Sequence, residues 1–457
     1  MPTTLSFTPL HLQRSSWNTS PRFIALSSPI IFLHHCTMTE SRNIVILGAS
    51  SAGLMTTHYI MKHILPALKK KGDGKYHVYL INPTSDWWFR VASPRVAAST
   101  TQMTAESILF DIRKEALAQY SSEDITFIQA AATGLDESAR TVAYRAGNKS
   151  AEQSLPYHAL IVATGSSTYH PAFSMSTDTQ KTLDSIKYTN EKVASAKEIV
   201  IVGGGPTAVE FAGETGEFLN GKPGWFSKPE PKVQITVVTA GDHLLPALRP
   251  EIGQTAEQKL AQLGVKVVYK QRVVDTTETK DGRFVVELSN GEKLEADLYV
   301  PAYGVEPNSS FLPAHLLDEK KYLKTNAETL RVDGAGPRVY SIGDVASFSR
   351  NTIPDILDSF PALVVNLKRD LLSYDAKLPN QRAKGVDRIY KESTKEMQFV
   401  PIGSGGGVGA LMGWRVPSWL VRMVKGRDYM LGMSGLPTAK GDKMNKEVVW
   451  SAEEAAI

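Results

Sequence analysis

Two short stretches carry residues whose types and spacing suit dinucleotide chemistry. Gly48-Ala49-Ser50-Ser51-Ala52-Gly53 follows the apolar run Asn43–Leu47 and opens a segment with apolar residues at helical spacing. A dinucleotide loop wants glycine at its first, third and sixth places: for the tight turn, for phosphate approach, and for close helix packing. Here Ser50 stands at the third place. A helix starting at this loop would offer free N–H groups and partial positive charge to a pyrophosphate. Alone, the stretch is either a nucleotide site with one substitution or an ordinary strand-to-helix turn. The second stretch, Gly203-Gly204-Gly205-Pro206-Thr207-Ala208, fits better, with Gly203 and Gly205 in the first two places and Ala208 in the last. Glu210 lies just beyond it. It is either a carboxylate favoured near a helix N-terminus or a group beside a nicotinamide ring.

The elements that must position these loops can be read around them. Asn43–Leu47, a helix over Ala52–Leu68 and a strand over Tyr76–Ile81 make a βαβ unit of the expected size. Further strands are expected at Ile125–Ala132, Arg140–Tyr144 and Leu160–Ala163. The pattern then restarts: strand Glu198–Val202, helix Thr207–Leu219, strand Ile235–Thr239, helix Glu251–Leu263 and strand Val265–Tyr269. Two antiparallel strands flank the Asn290-Gly291 turn. Beyond residue 300, Val339–Phe348 reads as a strand running into Gly343-Asp344, then a helical stretch through Leu372. Two copies of one unit mean two nucleotides, or one nucleotide and a decayed site.

The ribose positions depart from the usual pattern. An acid commonly ends the second strand and binds the adenosine ribose; here that residue is Asn82, which can hydrogen-bond only without charge assistance. In the second unit "VVTAGDH" offers neither such an acid nor an arginine for a 2′-phosphate, which leaves NADH and NADPH open.

The totals exclude several classes. The chain has 457 residues, enough for two or three domains, with 42% hydrophobic and 21% charged residues, as in a globular protein. The formal charge of +4, without a long Lys/Arg block, gives no expectation of nucleic-acid binding. Cys36 is the only cysteine, so neither an intramolecular disulfide nor a redox dithiol can form. The histidines are scattered, and no metal site is expected. No apolar run reaches the length of a spanning helix. Residues 1–39 contain no Asp or Glu but carry Arg14, Arg22 and many Ser and Thr. They are either a transit-like segment or sequence upstream of a true start at Met38. The folded part of the chain is expected from residue 41 onward.

The tail from Tyr374 changes character. It holds the glycine-rich "IGSGGGVGAL", read as a flexible loop, and then Trp414, Val416, Trp419, Leu420 and Met423 beside Arg415, Arg422, Lys425 and Arg427. Such a mixture suits either a membrane interface or a buried or dimer-forming helix with snorkelling arginines.

Taken in order, "GASSAG", "ATG" (Ala163–Gly165), "GGGPTAVEFAGE", "YGVEPN" (Tyr303–Asn308), "IGD" (Ile342–Asp344) and "GGVGAL…VRMVKGRD" resemble flavin-dependent pyridine nucleotide oxidoreductases. The likeness covers about residues 43–435 and is nearest to the apoptosis-inducing-factor-like group that includes the ferroptosis suppressors. Type II NADH dehydrogenases are similar at a greater distance. The resemblance implies an α/β protein with two Rossmann-like domains on a glutathione-reductase-like scaffold without the redox disulfide. An FAD domain would take 41–170 and 301–372, an NAD(P) domain 171–300, and a C-terminal α+β or membrane-associating segment 373–457. FAD would lie along Gly48, Ala49, Ser50, Ser51, Ala52 and Gly53, with Asn82, Arg95, Ala132, Gly165 and Asp344 around it. NAD(P)H would lie on Gly203 and Gly205 with Glu210 near the nicotinamide. Tyr390-Lys391 resembles a Tyr-Lys pair near the flavin in relatives, although Glu392-Ser393 follows here in place of Pro-Gly. On this reading Glu210 and Lys391 are the catalytic candidates. A hydride passes from NAD(P)H to flavin and the electrons go on to a quinone, at the mitochondrial or cytoplasmic face of a membrane. An alternative acceptor is a small aromatic metabolite of a biosynthetic pathway. The non-enzymatic alternative is a flavin-bound signalling or nucleic-acid-binding protein; the modest charge argues against the nucleic-acid version. The oligomeric state stays open.

Overall fold

The computed structural model describes residues 41–147, 150–222, 224, 230–379 and 383–455. The expected transit-like segment and Cys36 lie outside the described residues.

The chain builds the same sandwich twice. In the first, β1 (Ser41–Leu47) leads through the first glycine loop into α1 (Ser51–Tyr59). A π turn over Ile60–Ile64 joins α1 to α2 (Leu65–Lys71). Pro66 explains the wide turn, because it has no N–H to return to the preceding turn. Then come β2 (Lys75–Asn82), the short α3 (Ser93–Ala98) and β3 (Ile125–Gln129). The predicted strand over Ile125–Ala132 is in fact two. At Ala130 the N–H bonds to the Asn82 carbonyl, and the chain turns into β4 (Ala131–Asp136) of a separate meander with β5 (Thr141–Arg145) and β6 (Gln153–Pro156). It returns to the main sheet as β7 (Ala159–Val162).

After α4 (Thr179–Ser195) the second sandwich begins with β8 (Glu198–Val202), the second glycine loop and α5 (Pro206–Asn220). It continues with β9 (Gln234–Val238), α6 (Pro250–Gln262) and β10 (Val265–Val268). The meander β11 (Val273–Glu278), β12 (Phe284–Leu288) and β13 (Lys293–Ala296) follows, then β14 (Leu298–Pro301). β15 (Val339–Ser341) goes back to the first sheet, and α7 (Ile353–Leu372) packs beside α1 and α2.

The parallel sheets run β15-β7-β1-β2-β3 and β10-β9-β8-β14. Alternation along the central strands shows why they are apolar throughout. Ile44 and Ile46 face the helical core, while Val45 and Leu47 pack with Leu135 and Val142 of the meander. In the second sheet Ile199 and Ile201 join the helical core, and Val200 and Val202 pack with Val286 and Leu288. Both faces are covered, as a parallel sheet requires.

The tail forms a small antiparallel sheet of β16 (Gln398–Pro401), β17 (Gly407–Leu411) and β18 (Trp414–Arg415), followed by α8 (Ser418–Val421) and further short turns. Part of the expected flexible loop is therefore strand. Its glycines serve backbone contact: a Cβ at Gly409 would lie 2.3 Å from the Gln398 carbonyl oxygen. No helix among the described residues is long and apolar enough to cross a membrane.

Candidate functional site

The two glycine loops have the same internal construction. Gly48 N–H donates to Ile81 O and Gly203 N–H to Val238 O, each at 2.8 Å. Gly48 has φ +98° and Gly203 φ +137°. A Cβ on either would lie 2.4 Å from a carbonyl oxygen on the neighbouring strand's end, Ala163 for the first and Ala302 for the second. The first i→i−4 bond of α1 is Leu54 N–H to Ser50 O, and that of α5 is Val209 N–H to Gly205 O. The preceding amides of each helix therefore have no helical acceptor. Both loops end at the carboxyl edge of a parallel sheet, where open α/β folds bind ligands.

The third place settles what Ser50 means locally. Ser50 has φ −92°, Gly205 φ −80°, and both are extended N-caps. Neither position needs glycine for its backbone. Ser50 is exposed and its hydroxyl makes no capping bond, while a Cβ on Gly205 would meet nothing within 4 Å. Both places border open space of the kind a phosphate would occupy, so each loop fits a dinucleotide.

Around the first loop, Asn82 spends its amide inside the protein. Its Oδ1 accepts from Ala49 N–H at 3.0 Å, and its Nδ2 donates to the Thr84 carbonyl and hydroxyl. Asn82 thus braces the loop, leaving only the second lone pair of Oδ1 for a ribose hydroxyl. Ala132 lies on β4 opposite Tyr144. Gly165, at φ +68°, accepts from Asn308 N–H, and the Asn308 amide also ties Thr164. So "ATG" and "YGVEPN", far apart in sequence, are laced together. Asp344 follows β15, and its Oδ2 accepts from Ser166 Oγ at 2.8 Å and from Arg90 at 3.4 Å. Gly343 needs its φ of +80° to make this turn beside Ala52, whose Cβ would lie 3.2 Å from a side chain there.

A cavity of about 340 Å³ opens between the two sandwiches. Gly205, Pro206 and Thr207 line it from the second loop, Ala302 and Gly304 from the end of β14, and Arg90 and Thr168 from the first sandwich.

A buried charged cluster joins α3, α5 and the tail. Arg95, expected near the flavin, forks onto Glu214 of α5 at 3.1 and 2.8 Å, donates to the Arg427 carbonyl and stacks on Tyr429. Tyr429 Oη also donates to Glu214. Glu210, one turn before Glu214, is buried and pairs with Lys425. Burial pushes the Glu210 carboxyl up to about 7, against the pull of Lys425. Glu210 is not among the residues lining the cavity. Lys391 is exposed and does not join this cluster, whereas its neighbour Tyr390 is buried and donates to Asp355. The lysine that meets Glu210 is Lys425, which sequence reasoning placed only in the basic tail. Glu214 was legible as the i+4 neighbour of Glu210 on one helix face; Arg90 and Lys425 carried no local signal.

Two nucleotide-binding sandwiches sharing one cavity define a two-nucleotide oxidoreductase. Residues 42–365 match the pyridine nucleotide-disulphide oxidoreductase family, and the chain belongs to it. It is 41% identical to the oxidoreductase phnG of Penicillium herquei, over 86% of this chain and 95% of that one. It is 26% identical to an external alternative NAD(P)H-ubiquinone oxidoreductase B3, mitochondrial, of Arabidopsis thaliana, covering 71% of this chain and 58% of that one. It is also 26% identical to ferroptosis suppressor protein 1 of Mus musculus, covering 67% and 77%. The fold matches NDH2 from Plasmodium falciparum solved in complex with NADH, with a TM-score of 0.56 and 16% identity, covering 87% of this chain and 99% of that one. The protein is an oxidoreductase that uses FAD with NAD(P)H.

Proposed function

We propose that the protein passes the electrons of NAD(P)H to a quinone: NAD(P)H, one proton and quinone give NAD(P)⁺ and hydroquinone. The observation that carries this reading is the lack of any cysteine in residues 41–457 of a two-nucleotide scaffold. No protein dithiol can take the electrons, so they must go to a diffusing acceptor. The similarity to an NAD(P)H-ubiquinone oxidoreductase supports a quinone.

In this reading FAD lies along Gly48–Gly53, with Asp344, Gly165 and Ala132 around it, and NAD(P)H lies on Gly203 and Gly205. Bound FAD supplies the two-electron carrier that accepts hydride and returns the pair to the second substrate. The protein's work is alignment, exclusion of water and supply of one proton. Glu210, with its carboxyl raised to about 7, is the titratable group beside the second loop that changes charge near neutrality. Arg95 and Glu214 hold α3 against α5 and thereby fix the two sandwiches' facing helices.

The tail suits a quinone dissolved in lipid. Trp414, Trp419 and Met423 are exposed by 80%, 64% and 58%, next to exposed Arg415, Arg422 and Arg427. Such a face would rest on an anionic membrane surface, at a mitochondrial or cytoplasmic face. A second reading, favoured by the higher identity to the fungal oxidoreductase phnG, replaces the quinone by a small aromatic metabolite. The deciding experiment follows anaerobic bleaching of the flavin by NADPH, then reoxidation by a water-soluble ubiquinone analogue. Bleaching without reoxidation by any quinone would sink the first reading and leave the second.

A further inference from the structure

We propose that Arg90 binds the nicotinamide nucleotide, its guanidinium closing on the pyrophosphate from the side of the first sandwich while the α5 N-terminus holds it from the other. This rests on the reading that the second loop is the NAD(P)H site.

Arg90 is the one formally charged residue among those lining the cavity shared by the two sandwiches. A dinucleotide pyrophosphate brings two negative charges. The second loop, Gly203–Ala208, contributes backbone amides and a partial helix charge but no cation. Arg90 is the cation in the cavity placed to add a full positive charge to them.

The guanidinium is also half used. Nη1 alone makes its contacts, to Ser166 O and Ser166 Oγ at 3.1 Å and to Asp344 Oδ2 at 3.4 Å. Nε and Nη2 have no hydrogen-bond partner among the described residues. The side chain is 32% exposed and lines the cavity. Burial disfavours its charge, and Asp344 offsets this only in part. A planar fork with two idle nitrogens beside a helix N-terminus matches phosphate oxygens in geometry and sign.

The purely structural alternative is that Arg90 only ties Asp344 to Ser166. A single donor head does that, so lysine would serve as well. Arg90→Lys keeps charge and tie but loses the fork; Arg90→Met loses all three. The test is calorimetric titration of FAD-loaded protein with NADP⁺ and with NAD⁺, alongside flavin content and spectrum. We expect Arg90→Lys to retain FAD and to weaken both nucleotides roughly tenfold, the scale of one charge-assisted contact pair. The NADP⁺/NAD⁺ affinity ratio should stay that of the wild type, because both share the pyrophosphate. Arg90→Met should weaken them further and flatten the salt dependence of binding. Unchanged nucleotide affinity in the lysine variant would overturn the proposal. So would a shifted NADP⁺/NAD⁺ ratio, which would make Arg90 a reader of the 2′-phosphate, or loss of FAD with nucleotide affinity intact. Wild-type protein that binds neither nucleotide would instead refute the assignment of the second loop.

Discussion

The first and second glycine loops are copies in backbone but not in how they are braced. In the first, Gly53 is indispensable, because a Cβ there would lie 1.8 Å from the Gly48 carbonyl oxygen. In the second, the equivalent Ala208 is fully buried and fits. In the first, Asn82 reaches across to hold Ala49 N–H. In the second, the corresponding strand end brings Thr239 so close that a Cβ on Gly204 would lie 2.5 Å from its Oγ1. The lesson is that only the first glycine is demanded by backbone geometry in both loops. The other positions answer to local neighbours or to the ligand, and a motif cannot tell which.

The tail sharpens the contrast, because it grips the two helices by different chemistry. On α5 it uses charge, with Lys425 on Glu210 and Tyr429 on Glu214. On α1 and the π turn after it, it uses imidazole and lysine contacts to carbonyls, with His58 at Ala439, Lys62 at Gly441 and His63 at Met444.

The strongest way to break the comparison is to impose one loop's choice on the other. Gly53→Ala should lose FAD and destabilise the protein by about 3 kcal/mol, since backbone must move to admit the methyl. Ala208→Gly should cost about 1 kcal/mol or less and keep both nucleotides. Flavin absorbance and thermal melting measure both; a Gly53→Ala protein that stays yellow would mean α1 can slide on its strand.

The next largest effect is expected at α5. Glu210 has its carboxyl raised from 4.5 to about 7 in the folded protein. A carboxyl raised on folding stabilises fully below its unfolded value, and that contribution is lost as pH rises through the folded value. Turnover that draws its proton from Glu210 should be highest below pH 7 and fall with a single ionisation as pH rises through it. Glu210→Gln should remove that break and cut turnover by about 10²-fold. A pH–rate profile with the same break in the glutamine variant would assign the ionisation elsewhere.

What the sequence made legible follows the same division between local and distant causes. The two βαβ units, their loops and their ends were readable because each is set by residues within one run. Glu198–Val202 was predicted to the residue. Helix α4 was missed because two of its four buried positions, Thr182, Ile186, Thr189 and Val193, are threonines, which thin the apolar stripe. "GGVGAL" read as flexible because glycine spacing alone does not reveal that β16 crosses against it. The Glu210–Lys425 pair joins residues 215 positions apart in the chain, and no periodicity reaches that far.

A smaller effect separates backbone need from ligand need. Gly205→Ser makes the second loop resemble the first at its third place. No protein atom lies within 4 Å of the new Cβ, so melting should stay within about 0.5 kcal/mol of wild type. The KM for NAD(P)H should nonetheless rise roughly tenfold, because the side chain enters the space meant for phosphate. An unchanged KM together with unchanged stability would remove the pyrophosphate from that position.

The reverse exchange is the gentlest. Ser50→Gly removes a hydroxyl that makes no capping bond, at a residue whose φ of −92° gains nothing from glycine. The backbone amides of Ser51, Ala52 and Gly53 keep their places, and Asn82 still holds Ala49. Flavin should stay bound, with stability lowered by no more than about 1 kcal/mol from added freedom in the unfolded chain. Equilibrium dialysis of FAD against both proteins reads the remaining possibility. A loss of about tenfold in flavin affinity, at roughly 1.4 kcal/mol, would mean that the serine hydroxyl donates to the phosphate. The first loop would then have replaced close backbone approach by a side-chain bond, where the second loop keeps the glycine.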